Sequence, residues 1–247
     1  MKGRLSHIFT NILEQGINHF KGGSYHLDCS VSVTIYINEV VRRSTWLMRG
    51  LIKILLLQRR IRPVFIAPNV YLKNTRMIKF SRGVTLEHGV IIDGLSRIGV
   101  ELGANVKIGP YSIIRSTGVY SNIGEGVRIG ANSGIDAFAF IGAAGGVYIG
   151  NNVIMGQHVS FHAEEHIYDK VNILIREQGV TRKGITIGDD CWIGANVTIL
   201  DGSHIGKGCV IGACSLVNGH IPEYSVAAGV PARVVKSRRI TLTNNEA

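Results

Sequence analysis

From Ile185 to Val217 the chain reads ITIGDDCWIGANVTILDGSHIGKGCVIGACSLV. A branched apolar residue returns every sixth position, at Ile187, Ile193, Ile199, Ile205, Ile211 and Val217. Glycine follows it at Gly188, Gly194, Gly206 and Gly212. A helix repeats near 3.6 residues and a strand at 2. Six is three strand periods, so each unit reads as a short strand, a turn and another short strand. The stretch therefore predicts an all-β solenoid in which each six-residue unit forms one flat face.

The register can be followed backwards. Phe80, Leu86, Ile92 and Ile98 form one run, and Ile108 and Ile114 a second. Ile123, Ile129, Ile135 and Ile141 form a third, and Ile149, Met155 and Phe161 a fourth. Between runs the phase slips, as loops bulging from the corners of a continuous solenoid would cause. The largest interruption, HAEEHIYDKVNILIREQGVTRKG, is polar and lacks the repeat. It reads as a loop extruded at about residues 162–184, and loops on rigid scaffolds commonly carry function. The solenoid is expected over residues 64–217, after a basic, partly helical region at 1–63 and before a C-terminal segment and polar tail at 218–247.

Composition agrees with tight turns and a uniform interior: 31 glycines and only 7% aromatic residues among 247. The net charge of +10 is unevenly placed. Residues 1–82 hold 14 Lys and Arg against 3 Asp and Glu, a net +11, while residues 83–247 hold 13 against 14, a net −1. Such asymmetry points to an anionic partner at the N-terminal end. No helix-turn-helix or aromatic platform accompanies the charge, so nucleic acid is not expected.

The segment NEVVRRSTWLMRGLIKILLLQRRIRP sets apolar residues at helical spacing among cations, with Pro63 as a stop. It reads as a helix packed on the first coil or on a neighbouring subunit. The sharper alternative is a helix on an anionic membrane surface, a peripheral contact through residues 1–60. Its longest apolar stretch, Trp46 to Leu57, is interrupted by Arg49 and Lys53 and falls short of the roughly 20 residues that span a bilayer. The N-terminus lacks a signal-peptide core, and the four cysteines form no disulfide or Cys-x-x-Cys pattern. A cytoplasmic protein is expected, with any membrane contact on the inner face. Cys191 and Cys209, each two residues before a periodic position, read as small buried side chains.

The hexapeptides, the block CWIGANVTILDG, the stretch IGACSLV and the ending IPEYSVAAGVPARVVK resemble the hexapeptide-repeat acyltransferases. Within them the chain is most similar to the maltose, galactoside and surface-polysaccharide O-acetyltransferases, over about residues 64–236. The resemblance implies a left-handed parallel β-helix, a homotrimer with sites between subunits, acetyl-CoA as co-substrate, no metal, and a carbohydrate or lipid-linked saccharide acceptor.

Acetyl transfer to a hydroxyl needs a base, and imidazole ordinarily titrates near neutrality. His88, His158, His162 and His166 are the candidates by position. The resemblance carries the catalytic role to His166, five residues beyond the inward Phe161, with His162 as runner-up. His88 and His158 read as repeat or corner residues. Glu164, Glu165 or Asp169 could fix the imidazole tautomer. Asp136 stands where the resembling group has an acceptor-contacting Asn, and reads equally as a corner residue satisfying turn amides. For CoA the resemblance points to Ala195 and Ala213 beside the pantetheine arm, Trp192 near the thioester, and Arg233 and Lys236 at the phosphates. Two departures stand out: Cys214 where Gly is frequent, and NGH at 218–220 in place of Thr-Lys-Asp.

Three alternatives compete. N-acetylation of an amino sugar would use the same base. A γ-type carbonic anhydrase would hold a metal with His158, His162 and His166, although a spacing of four suits a helix better than a strand. A non-catalytic β-helix would bind or brace without turnover.

Overall fold

The computed structural model describes residues 10–18, 26–28, 30–56 and 62–239. The chain winds through three parallel sheets in strict rotation. The first face runs from Phe65–Ile66 through Lys107–Ile108, Gly134–Ile135, Ile154–Met155, Trp192–Ile193 and Val210–Ile211 to Ser225–Gly229. The second face runs from Tyr71–Lys73 through Phe140–Gly142 and Ser160–His162 to Leu216–Val217. The third runs from Ile78–Phe80 to His220–Ile221. Each strand within a face pairs with the strand one coil earlier and the one a coil later, as in Ile141 with Ile114 and Phe161, and only the end strands lack one neighbour. This is the left-handed β-helix of the hexapeptide repeats, a hand opposite to the usual crossover preference.

The period has a direct cause in packing. Ile187, Ile193, Ile199, Ile205, Ile211 and Val217 are all buried, one per face in each of two successive coils, and with their counterparts in other coils they form one continuous core. Alternate residues point outward. Two expected inward positions fail: Ile98 is half-buried and Ile123 is exposed. The four-residue strands Gly99–Leu102 and Gly126–Ile129 turn Val100, Leu102, Val127 and Ile129 inward instead. Ile123 belongs to a bulge leaving the corner between the second and third faces. The coils also continue past residue 217, through His220–Ile221 and Ser225–Gly229, before Ala232–Ser237 folds back antiparallel and ends the first face.

The corners demand an unusual backbone. On the corner between the first and second faces, Asn69, Tyr111, Phe138, His158, Asn196 and Cys214 all adopt φ between 57° and 60°. That left-handed conformation explains why glycine suits the Cys214 position. For Tyr111, Phe138 and His158 the conformational cost is met by stacking: adjacent ring centroids lie 5.5 and 5.0 Å apart, with planes within 12°. On the opposite corner of the first face, Asn105 donates to Asn132, and Asn132 to Asn152, in a ladder of side-chain amides. Cys191 and Cys209 are buried, and burial pushes the Cys191 thiol up to about 11.

The helix Val33–Leu56 (α1) closes the N-terminal end. Trp46 and Ile54 are buried against the first coils, and Gly50 lies so close to Val64 that a Cβ would sit 1.9 Å from its carbonyl oxygen. The first coil has no earlier coil to receive its backbone carbonyls. Arg49 donates to the Ile66 carbonyl at 3.3 Å and Lys53 to that of Val70 at 3.0 Å. Burial, with Arg49 nearby, holds the Lys53 ammonium below its usual pKa. His88 packs edge-on against Trp46. The expected packed helix is therefore present on one side of α1.

Phe161 is fully buried on the fifth coil, immediately before the extruded loop. Phe161→Ala should cost about 3–5 kcal/mol, read as a lowered urea midpoint. An unchanged midpoint would contradict a tightly packed interior at that coil.

Candidate active site

The interruption after Phe161 leaves the solenoid at the corner between the second and third faces. It is partly structured. Glu165–His166 pairs antiparallel with Val180–Thr181, His166 opposite Val180, and Ile175–Glu177 makes one 3-10 turn. The loop closes on itself through Gln178. Its Oε1 accepts from the Lys170 amide, and its Nε2 donates to the carbonyls of Lys170 and Ile173.

Two side chains fasten this hairpin to the coils. Arg182 forms an ion pair with Glu164, with Nε and Nη2 both 2.6 Å from Oε2. Its Nη1 donates to the Asn122 side chain at 2.8 Å, on the bulge of an earlier coil. Asp201, on the coil that follows, accepts from the amides of Lys183 and Gly184 at 2.8–2.9 Å. Neither Arg182 nor Asp201 was expected from sequence, since partners up to 60 residues apart carry no local pattern. Glu164 meets Arg182 through Oε2. Glu165 and Asp169 are exposed.

The histidines are separated by the fold. His158 is on the first corner, stacked on Phe138. His162 ends a strand on the second face, its ring 5.7 Å from that of Phe140. His166 is on the hairpin, exposed. They do not converge, and among the described residues no group of three His, Cys, Asp or Glu is gathered as a metal site.

The remaining site residues lie elsewhere. Asp136 follows the first-face strand of the fourth coil, exposed, with Oδ1 accepting from the Ala137 amide at 2.8 Å. Trp192 stands on the outer side of the first face in the sixth coil, in register with Ile154 and Val210 and 57% exposed. That exposure is inconsistent with a ring that merely fills this chain's core. Ala195 and Ala213 stack at the corner between the first and second faces on successive coils, where backbones approach closely. A Cβ on Gly194 would meet the Ala213 nitrogen at 2.5 Å. Arg233 and Lys236 are exposed on the returning strand of the first face. The expected CoA residues thus fall along one line of the last coils, on the first face and its corner with the second: Trp192 shares a ladder with Lys236 through Val210 and Val226, and Arg233 pairs with Ala228.

Within one chain that line and His166 are apart. The former occupies the first face and its corner with the second; the latter leaves from the far edge of the second face. A groove of about 710 Å³ at the helical end, lined by Arg62, Arg76, Lys79 and Arg128 among others, includes none of these residues.

Comparison with known proteins agrees with this architecture. Residues 184–219 match the family model described as bacterial transferase hexapeptide (six repeats), and residues 122–156 that of the hexapeptide repeat of succinyl-transferase. Over 166 residues the chain is 32% identical to WbbJ of Escherichia coli K12, provisionally named a lipopolysaccharide biosynthesis O-acetyl transferase, covering 67% of this chain and 74% of that protein. It is 35% identical over 159 residues to a protein of Mycobacterium tuberculosis named as a probable acetyltransferase, covering 64% of this chain. It is 38% identical over 119 residues to the galactoside O-acetyltransferase of Escherichia coli K12, covering 48% of this chain. The chain spans only about half the length of these last two relatives, 51% and 57%. A solved structure of AntD, an N-acyltransferase from Bacillus cereus in complex with dTDP and coenzyme A, aligns with a TM-score of 0.47 at 19% identity, covering 72% of this chain and 83% of that one. The chain belongs to the hexapeptide-repeat transferase family. Its named relatives lie on the acetyltransferase branch of that family.

Replacing Arg182 with Ala should free the hairpin without disturbing the coils. Limited proteolysis should then cut within residues 164–181 at least about tenfold faster, because local opening is governed by few anchoring contacts. Unchanged protection would mean that Asp201 and strand pairing suffice.

Proposed function

We propose that the protein is an acetyl-CoA-dependent O-acetyltransferase acting on a carbohydrate hydroxyl, with His166 as general base. The acceptor class proposed is a growing or lipid-linked surface saccharide. The observation that carries this reading is the exposed hairpin: it holds one histidine off the repeat, fastened by Arg182 and Asp201.

His166 takes the proton of the acceptor hydroxyl as that oxygen attacks the acetyl thioester carbonyl, and returns a proton to the departing thiolate. Asp136, on the coil before the histidine, receives a hydrogen bond from another hydroxyl of the acceptor. Ala195 and Ala213 leave room for the pantetheine arm, Trp192 walls the thioester end, and Arg233 and Lys236 neutralise the phosphates.

The separation of His166 from this line within one chain supports a shared site in a homotrimer. If three copies turn their second faces towards a threefold axis, the hairpin corner of one protomer meets the Ala195–Ala213 corner of the next. The outer surface of that face is suitably apolar, with Tyr71 and Ile91 exposed and Ile113, Phe140 and Leu216 half-buried. Closed cyclic symmetry is the ordinary form of such assemblies.

His166→Ala should lower kcat by about 10²–10⁴-fold, with acetyl-CoA affinity nearly unchanged, while His162→Ala costs much less. The reverse order would assign the base to His162, and full activity in both would overturn the reading. By sedimentation the active species should be a trimer of the 26.8 kDa chain. A fully active monomer would refute the shared site.

A further inference from the structure

Helix α1 carries an apolar face that the coils do not use. Trp46, Gly50 and Ile54 turn towards the first coil. On the opposite side Ile37, Val41, Met48, Ile52 and Leu55 are 44–62% exposed. Ser44 and Thr45 interrupt them, and no charged residue falls within the stripe. A helix lying on a soluble core ordinarily shows its polar side to water. Here the cations Arg42, Arg49 and Lys53 form one flank, and the side facing away from the protein is apolar. Contiguous exposed apolar surface of this kind marks an interaction site.

We propose that this face docks the protein on an anionic phospholipid bilayer, with α1 lying in the plane of the headgroups and its stripe in the acyl boundary. Charge selects this occupant. Residues 1–82 carry a net +11, from 14 cations and 3 anions. A second copy of the same end would bring two strongly positive surfaces together, whereas an anionic leaflet attracts one. Three of these cations, Arg62, Arg76 and Lys79, line the groove beside the helix, where Arg128 joins them. Lys79 and Arg128 share a single carboxylate, Glu101. Among the described residues no helix is long and apolar enough to cross a membrane, so α1 would lie on the surface rather than span it.

The consequence for the site rests on the function proposed above. In a trimer with parallel solenoids all three helices share one end, and the three stripes face one plane. Parallel coils are about 4.8 Å apart, so a hairpin leaving the fifth coil stands about 20 Å from the first. Asp136, on the fourth coil, is on the membrane side of His166, and the CoA line is on the far side. The acceptor would thus arrive from the bilayer while the donor enters from water.

Flotation of the full chain tests the docking. Vesicles of phosphatidylglycerol and phosphatidylcholine should carry the protein, and vesicles of phosphatidylcholine alone should not. The combined variant Val41→Glu, Met48→Glu, Ile52→Glu should lose at least about tenfold in bound fraction, since it places charge in the apolar face. All three positions are exposed, so circular dichroism and sedimentation mass should be unchanged, as should transfer to a soluble sugar. Equal flotation of wild type and variant, or none by wild type, would overturn the proposal. So would a drop in the variant's sedimentation mass, which would assign the stripe to a second copy. If wild type binds vesicles and the variant does not, yet neither transfers acetyl, the docking stands and the enzymatic reading fails.

Discussion

The structure depends on the stacking of one coil on the next. Between the two ends every strand satisfies its backbone groups on the strands above and below, and every inward side chain is covered by those of the adjacent coils. The spacing leaves little tolerance at the corners, where a Cβ on Gly194 would reach the Ala213 nitrogen at 2.5 Å and one on Gly156 the Ala195 nitrogen at 2.7 Å. Small residues at these points are what let two backbones lie side by side. A coil by itself cannot bury its apolar side, so stability accrues from neighbours and the two ends need special treatment.

Those ends are solved differently. At the N-terminal end a helix crosses the open coil, with Gly50 pressed on Val64 and the cations Arg49 and Lys53 bonded to carbonyls that lack a preceding strand. At the other end Ala232–Ser237 folds back antiparallel, and the Arg239 guanidinium lies over the Tyr224 ring at 5.0 Å. Unpaired strand edges invite further strand addition, and both devices cover the ends of the first face.

Between the ends, departures from the repeat are where chemistry can enter. A regular coil spends its side chains on packing and its backbone on neighbours. The hairpin after Phe161 escapes both obligations and carries an exposed histidine. It is nevertheless held, by Arg182 bridging Glu164 and Asn122 and by Asp201 gripping the amides of Lys183 and Gly184. Anchoring of this kind lets a loop present a side chain in a reproducible place.

Much of this was legible before any coordinates. The six-residue return of Ile187 to Val217 specified a solenoid because each inward position accepts one branched side chain, and the absence of the repeat after Phe161 marked the extruded loop. The helix at the basic end was legible from its spacing. Local pattern failed where the corner bulges: Ile98 and Ile123 keep the period in sequence but leave the core in space, since both lie in irregular chain ahead of the strands Gly99–Leu102 and Gly126–Ile129. It also missed Arg182 and Asp201, whose partners are brought near only by the winding of the chain. The sequence by itself determined the repeat, the residue types of the site and the charge at one end. Only the tertiary structure decided that His166 and the Trp192–Ala195–Ala213 line leave from different edges of one chain, and that the apolar side of α1 opposite Trp46 faces outward. Both depend on how three faces close around a common core, and a six-residue period is the same for every face.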